Sequence, residues 1–192
     1  MARNDALLSY LLNRRSVGIG FLRDPGPNAA ELEQILIIGT RVPDHGKLAP
    51  WRLIILEGEA RAEAGRRLAE IARRNNPNID AASLEAESNQ FLPAPLTIGV
   101  IFSHRPLAKA PELEQLLSAG AVAFNLCHAA AALGYAASWV TRWYAFDTAA
   151  QQMLGARGGE RFIGFVHIGT PAIVPEDRER PKLETLVSRW QG

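Results

Sequence analysis

From Leu116 to Thr141 the chain carries no Asp, Glu, Lys or Arg. A helix made from such a run has no face to offer to water, so protein or lipid must enclose it. The run is long enough to span a bilayer. Its composition points the other way. Ala and Gly dominate, Ser118, Asn125 and His128 interrupt it, and Gly134 breaks it, which leaves it too weakly apolar for a hydrocarbon interior. The pattern predicts a central helix over Glu112–Leu133, buried in protein, then a strand over Tyr135–Thr141. Ala119, Gly120, Ala121 and Ala123 leave space for a second helix to come close. A membrane-associated helix protein is the competing reading of this run alone.

The rest of the chain has to supply that enclosure. Its 192 residues suit one domain (1–192) with a sizeable core. The C-terminal stretch 171–192 alternates in charge, holds three prolines, and reads as an extended, exposed extension. The net charge is +1 and the arginines are scattered, so there is no basic stripe for nucleic acid. Cys127 is the only cysteine, which excludes an intrachain disulfide. Residues 1–12 lack the apolar run and cleavage site of a signal peptide, and the expected location is cytoplasmic.

Asp5–Arg14 repeats apolar residues at Leu7, Leu8, Leu11 and Leu12, as an amphipathic helix does. Arg14-Arg15-Ser16 ends it. The helix dipole accounts for one arginine there and leaves the second, and the serine, without a reason. Gly18-Ile19-Gly20 starts a dinucleotide-type fingerprint, but Arg23 stands at the third glycine and no strand precedes it, so that reading is discarded. After a turn at Asp24–Pro27, Asn28 and Glu31 form a capping-box pattern. Leu32, Ile35, Leu36 and Gly39 share one face of the helix that follows.

Buried strands are predicted over Trp51–Glu57, Pro95–Ser103 and Arg161–Thr170. A charged helix is predicted over Glu59–Arg74, with i,i+4 pairs Glu63/Arg67 and Glu70/Arg74. Asp80–Gln90 reads as a short polar helix acting as a mobile cover. Phe146–Leu154 reads as a helix with Asp147 near its start. Cys127 and His128, about 100° apart on a helix, read as packing residues. His167 reads as a satisfied sheet residue. Helices grouped between few strands indicate an α+β fold.

Between a helix and a strand lies Arg41-Val42-Pro43-Asp44-His45-Gly46-Lys47-Leu48-Ala49-Pro50-Trp51. Pro43 and Pro50 bias their predecessors away from helix, which predicts a stiff, extended loop presenting Arg, Asp, His and Lys. The four histidines, at 45, 104, 128 and 167, lack paired metal-ligand spacing, so no metal is expected. No Gly-x-Ser-x-Gly elbow is present. What remains is an arginine-rich anion site, and the planar guanidinium fork suits phosphate.

Arg-x-Pro, a polar insert and Pro-Trp before a strand resemble the flavin loop of the nitroreductase family. Arg14-Arg15-Ser16 is similar to its phosphate motif. The resemblance runs from about Ala6 to Trp190 and is nearest to the compact NAD(P)H nitroreductase branch. It implies a central, mostly antiparallel sheet flanked by helices, in an intertwined homodimer with FMN at the interface. Arg14 and Ser16 would hold the FMN phosphate, with Arg15 assisting or facing elsewhere. Arg180 would complete the site, with Arg178 and Lys182 as rivals. Arg41 and His45 match positions that face the flavin. Trp139, Val140 and Thr141 match the segment beside its ring, with the amide near Thr141 close to N5. The flavin would carry the chemistry, with no catalytic side chain: NADPH or NADH would reduce N5, and a nitroaromatic or quinone-like acceptor would then be reduced, in ping-pong fashion. The departures are Asp44, His45, Lys47 and Ala49 at positions where the broader family has polar contacts including Asn and Gln. Lys47, at the usual Asn position, would either favour the reduced flavin or point to solvent or pair with Asp44. The same departures motivate an alternative, a flavin-binding or sequestering protein with little reductase activity.

Overall fold

The structure is a computed structural model that describes residues 2–106 and 109–192. The chain folds as two units. One is Ser16–Ile173; the other joins the residues up to Arg15 with Val174–Gly192. Of the expected extension at 171–192, its first three residues belong to the larger unit.

The larger unit is built on strands β1 (Leu22–Arg23), β2 (Trp51–Glu57), β3 (Leu96–Phe102), β4 (Ala136–Val140) and β5 (Arg161–Pro171). β5 is the spine. β3 pairs with it on one side and β4 on the other, β2 pairs with β3, and β1 pairs with Thr170 and Pro171. All of these pairings are antiparallel. β3 is buried throughout, as its sequence predicts. β2 is not: only Leu56 is buried, because the strand lies at an edge of the sheet.

Alternation along the strands fills two cores. Leu96, Ile98, Val100, Val166 and Ile168 meet α2 (Ala29–Gly39) and α5 (Glu112–Ala132) through Ile35, Val122, Ala123 and Leu126. On the other face Phe162 and Phe165 meet α3 (Glu59–Asn75) through Leu68 and Ile71 and α6 (Thr148–Met153) through Ala150, with Phe91, Tyr144 and Leu154 from the adjoining segments closing the cluster. α2 starts as predicted: Asn28 accepts the Glu31 amide at 3.0 Å and Glu31 accepts the Asn28 amide at 2.9 Å. Its last residue, Gly39, leaves the space that Leu126 of α5 occupies. Of the small residues on α5, Ala119 and Ala123 are buried, while Gly120 looks into open space.

α5 reaches a mean hydropathy of 1.2 over 18 residues, so length and composition alone would let it cross a membrane. Half of that window is buried in the protein, against the sheet and α2. Its exposed positions form a stripe of Leu113, Leu117 and Phe124. Cys127 is buried there, and His128 packs edge-on to Phe124 with ring centres 4.3 Å apart.

On α3 the ion pairs differ from the expected Glu63/Arg67 and Glu70/Arg74. Arg66 serves both acids, because it lies three residues after Glu63 and four before Glu70 and one guanidinium spans the two. Residues 80–90, read as a mobile cover, form α4 (Ala81–Ser88), capped by Asp80 through the Ser83 amide at 2.8 Å. Gly65 of α3 makes room for the Ser88 carbonyl, and the Trp143 indole donates to Glu87 at 2.8 Å. α6 is capped by Asp147 through the Ala150 amide at 2.8 Å.

His167 departs from the expected satisfied residue. Its Nδ1 lies 2.9 Å from Thr97 Oγ1, but its buried Nε2 has no hydrogen-bond partner among the described residues. Sheet register gives it one polar neighbour on each flank, Thr97 and Ser138, and Phe91 stacks on its ring.

In the smaller unit, α1 (Asp5–Asn13) is capped by Asn4, which accepts the Leu7 amide at 3.0 Å. Leu7, Leu8, Leu11 and Leu12 are all exposed. The tail is extended and exposed, apart from one 3-10 turn at Leu183–Thr185.

Candidate functional site

The smaller unit gathers three of the arginines that the sequence singled out. Arg14 follows the last turn of α1, and its carbonyl accepts a bond from Arg180 Nη2 at 3.3 Å. Arg180 Nη2 also donates to Asp177 Oδ1 at 3.1 Å. Arg15 Nη1 lies 3.8 Å from the same oxygen, within ion-pair range but too far for a hydrogen bond. That nitrogen is buried and has no hydrogen-bond partner among the described residues.

The Asp177 carboxyl is held below its ordinary pKa, first by the Arg178 amide and then by the charges of Arg180 and Arg15. One carboxylate thus serves two guanidinium groups, and a donor of Arg15 is left without a hydrogen bond. A buried cationic donor without a partner is costly. A phosphate dianion, with oxygens for more than one guanidinium, would satisfy it. Of the rivals, Arg178 turns its amide to Asp177, and Lys182 starts the 3-10 turn. Ser16 is the exposed first residue of the larger unit.

The loop after α2 is coiled rather than extended. Asp44 accepts the Leu48 amide at 3.1 Å and the Ala49 amide at 2.8 Å. A 3-10 turn at His45–Lys47 follows from this, with Gly46 at φ +77°. Lys47 and Ala49 also take positive φ, +54° and +45°, a conformation such residues adopt at a cost and keep only when their surroundings enforce it. With the Asp44 carboxylate bonded to two amides, the Lys47 side chain is left exposed. Arg41 is exposed as well. His45 Nδ1 lies 2.7 Å from Glu114 Oε2 in the first turn of α5. Ser118 Oγ donates to the Pro43 carbonyl at 2.5 Å. Asn125 Nδ2 donates to the Ile38 carbonyl at 2.6 Å and reaches the Arg41 carbonyl at 3.5 Å. A pocket of about 400 Å³ opens here, lined by Pro43, His45, Glu114, Leu117, Ser118 and Ala121.

Trp139 and Val140 end β4, and Thr141 follows, exposed. Trp139 is 38% exposed, and its indole lies over Gly164 of β5. Gly164 has φ +147°, next to the register shift between β3 and β5, and a Cβ there would collide with the indole and come within 2.8 Å of the Val140 carbonyl. β4 and β2 are opposite edges of the β2-β3-β5-β4 array. The loop leading into β2 and the end of β4 are therefore separated by three strand spacings across the sheet, at least roughly 14 Å, and fall at different levels of β5, Arg161 and Phe165. One chain does not bring Arg41, His45 and Lys47 together with Trp139, Val140 and Thr141.

Sequence reasoning missed Glu114, Asp177 and Gly164, and gave Ser118 and Asn125 no role. The last two had a legible signal. They are polar, stand in an otherwise apolar helix, and lie seven residues apart, two turns along one face. Asp177 had none, since a single acid in an alternating tail looks like any other.

A match to the nitroreductase family spans residues 11–170. The Escherichia coli K12 protein YdjA, provisionally named an NAD(P)H nitroreductase, is 31% identical over 166 residues, which cover 86% of this chain and 88% of YdjA. A nitroreductase-like family protein from Bacillus cereus superposes with a TM-score of 0.82 at 22% identity, over 100% of both chains. A provisionally assigned nitroreductase from Desulfovibrio desulfuricans, solved in complex with FMN, gives a TM-score of 0.75 at 19% identity over 98% of each chain.

Proposed function

The chain belongs to the nitroreductase family, and from that premise we propose that it is an FMN-dependent NAD(P)H oxidoreductase acting on a nitroaromatic or quinone-like acceptor. The observation that carries the reading is the buried Nη1 of Arg15, which has no hydrogen bond among the described residues, in the unit that also holds Arg14 and Arg180. That donor set fits the terminal phosphate of FMN. The solved relative from Desulfovibrio desulfuricans, with its FMN, supports the same choice. When bound, FMN supplies a ring that accepts a hydride from NADPH or NADH and passes the electrons to the acceptor in a ping-pong cycle.

The chain's own residues bind and orient. Arg14, Arg15, Ser16 and Arg180 hold the phosphate through charge-assisted bonds. Arg41, His45 and Lys47 present polar and cationic groups from a braced loop. Trp139, Val140 and Thr141 offer an aromatic face and backbone amides at a strand end. These two groups lie at opposite sheet edges, so a complete site needs a second copy of the chain. The active form is then a cytoplasmic homodimer with one edge from each protomer at each site. The exposed stripe of Leu113, Leu117 and Phe124 suits the contact.

Purified protein should show flavin absorption bands and release FMN, not FAD, on denaturation. Arg15→Met should weaken FMN binding about 10- to 100-fold, as expected when a charge-assisted bond is lost. Wild-type affinity in both Arg14→Met and Arg15→Met would reject the phosphate site. The internal use of the Asp44 carboxylate keeps the sequestering alternative open as a second reading. Steady-state NADPH oxidation with a quinone separates the two, since a sequestering protein would bind FMN and turn over no acceptor.

A further inference from the structure

The central helix is uncharged from Leu116 onward, yet it keeps two hydrogen-bonding side chains on one face, at 118 and 125. Both are used, one on the loop and the other on the end of α2 that leads into it. Ser118 Oγ holds the Pro43 carbonyl at 2.5 Å. Asn125 Nδ2 holds the Ile38 carbonyl at 2.6 Å and reaches that of Arg41 at 3.5 Å. Ile38 lies in the last turn of α2, where carbonyls lose their i+4 partners; its carbonyl accepts the Arg41 amide at 3.0 Å, and Asn125 adds a side-chain bond to it. The loop that follows has no regular ladder of amides to donate to the Pro43 carbonyl, and Pro43 and Pro50 have no amide to give.

We infer that Ser118 and Asn125 are positioning residues, which fix the backbone of residues 38–43 on α5 and so place Arg41 and the turn at His45–Lys47 for the cofactor. The inference rests on the FMN reading above and adds to it the means by which the loop is held ready. Internal bonding shapes the loop beyond this point, since Asp44 takes the amides of Leu48 and Ala49. That coil has to be anchored to something rigid, because Lys47 and Ala49 sit at positive φ, which an unanchored loop would relax. α5 is rigid: Ala119, Val122, Ala123 and Leu126 are fully buried on the turns that carry the two anchors. Glu114 extends the clamp to His45 at 2.7 Å, but between exposed side chains, where such a pair adds little. The two bonds to backbone carbonyls carry the hold.

The test uses full-length protein with Ser118→Ala, Asn125→Ala and, as rescue, Ser118→Thr, which keeps the hydroxyl. In apo protein, hydrogen exchange at the amides of Lys47, Leu48 and Ala49 should speed up in both alanine variants and stay slow in Ser118→Thr. FMN titration should show affinity falling about 10-fold in each alanine variant, the scale of one lost hydrogen bond, with the flavin midpoint potential displaced and Ser118→Thr near wild type. Unchanged exchange at 47–49 in both variants overturns the clamp. Faster exchange with unchanged FMN affinity and potential overturns the positioning role and leaves a purely structural one. If the wild-type protein binds no FMN, the cofactor reading falls and this role falls with it, while the exchange data still judge the clamp.

Discussion

Two side chains contribute to the acid response of the larger unit, in successive pH windows. Burial, with Arg142 adding to it, pushes the His167 imidazole down to about 4 from an ordinary 6.5. Between those values the unfolded chain binds a proton that the folded chain refuses, so stability is complete above about pH 6.5 and falls as pH drops toward 4. The loss is about 3 kcal/mol. Glu160 acts lower. Bonds from Arg52 at 2.8 and 2.6 Å, helped by the Arg157 amide, hold its carboxyl at about 2, below an ordinary 4.5. Its contribution is therefore lost between pH 4.5 and 2. Replacing the ring by an uncharged amide, in His167→Gln, should flatten the urea midpoint between pH 6.5 and 4 and leave the steeper fall below 4.5 in place. An unchanged slope in the upper window would mean that another group sets it.

The elements show where sequence speaks and where it is silent. The Asn28–Glu31 box, the strand at Trp51–Glu57 and the stop before Gly134 were all readable, because each depends on residues close together in the chain. The loop at 41–50 was misread as extended: two prolines argued for extension, and the outcome was decided by one carboxylate reaching amides four and five residues on. The Arg66 pairs were misread because spacing alone does not say which of two adjacent arginines faces the acids. Gly164 could not be read at all, since its reason lies on another strand. There the backbone adopts φ +147° and the Trp139 indole fills the space of a side chain. Gly164→Ala should cost about 1–3 kcal/mol through strain and displacement of the indole. It should also weaken FMN binding through β4, whereas Gly158→Ala, where a Cβ meets nothing within 4 Å, should do neither. Equal melting temperatures for the two variants would show that the Trp139 contact is soft.

At the scale of the whole molecule, the sheet separates what the proposed function would have to join. The loop before β2 and the end of β4 occupy opposite edges, and the residues assigned to one ring are thereby divided. The stripe on α5 points to the remedy, with Leu117 64% and Phe124 44% exposed in a single chain. Leu117→Glu should convert a dimer into monomers in sedimentation and lower FMN content with it. A variant that stays dimeric and fully loaded would place the contact elsewhere. The small residues of α5 were legible in the sequence, but which of them face inward was not, because that depends on Gly39 of α2 admitting Leu126. The lone thiol of Cys127 sits on this same helix, buried, its Sγ 3.5 Å from the Ala123 carbonyl. No other sulfhydryl in the chain competes for a labelling reagent. The protein therefore carries its own chemical clock: the rate at which a thiol probe reacts counts the moments when α5 leaves the sheet.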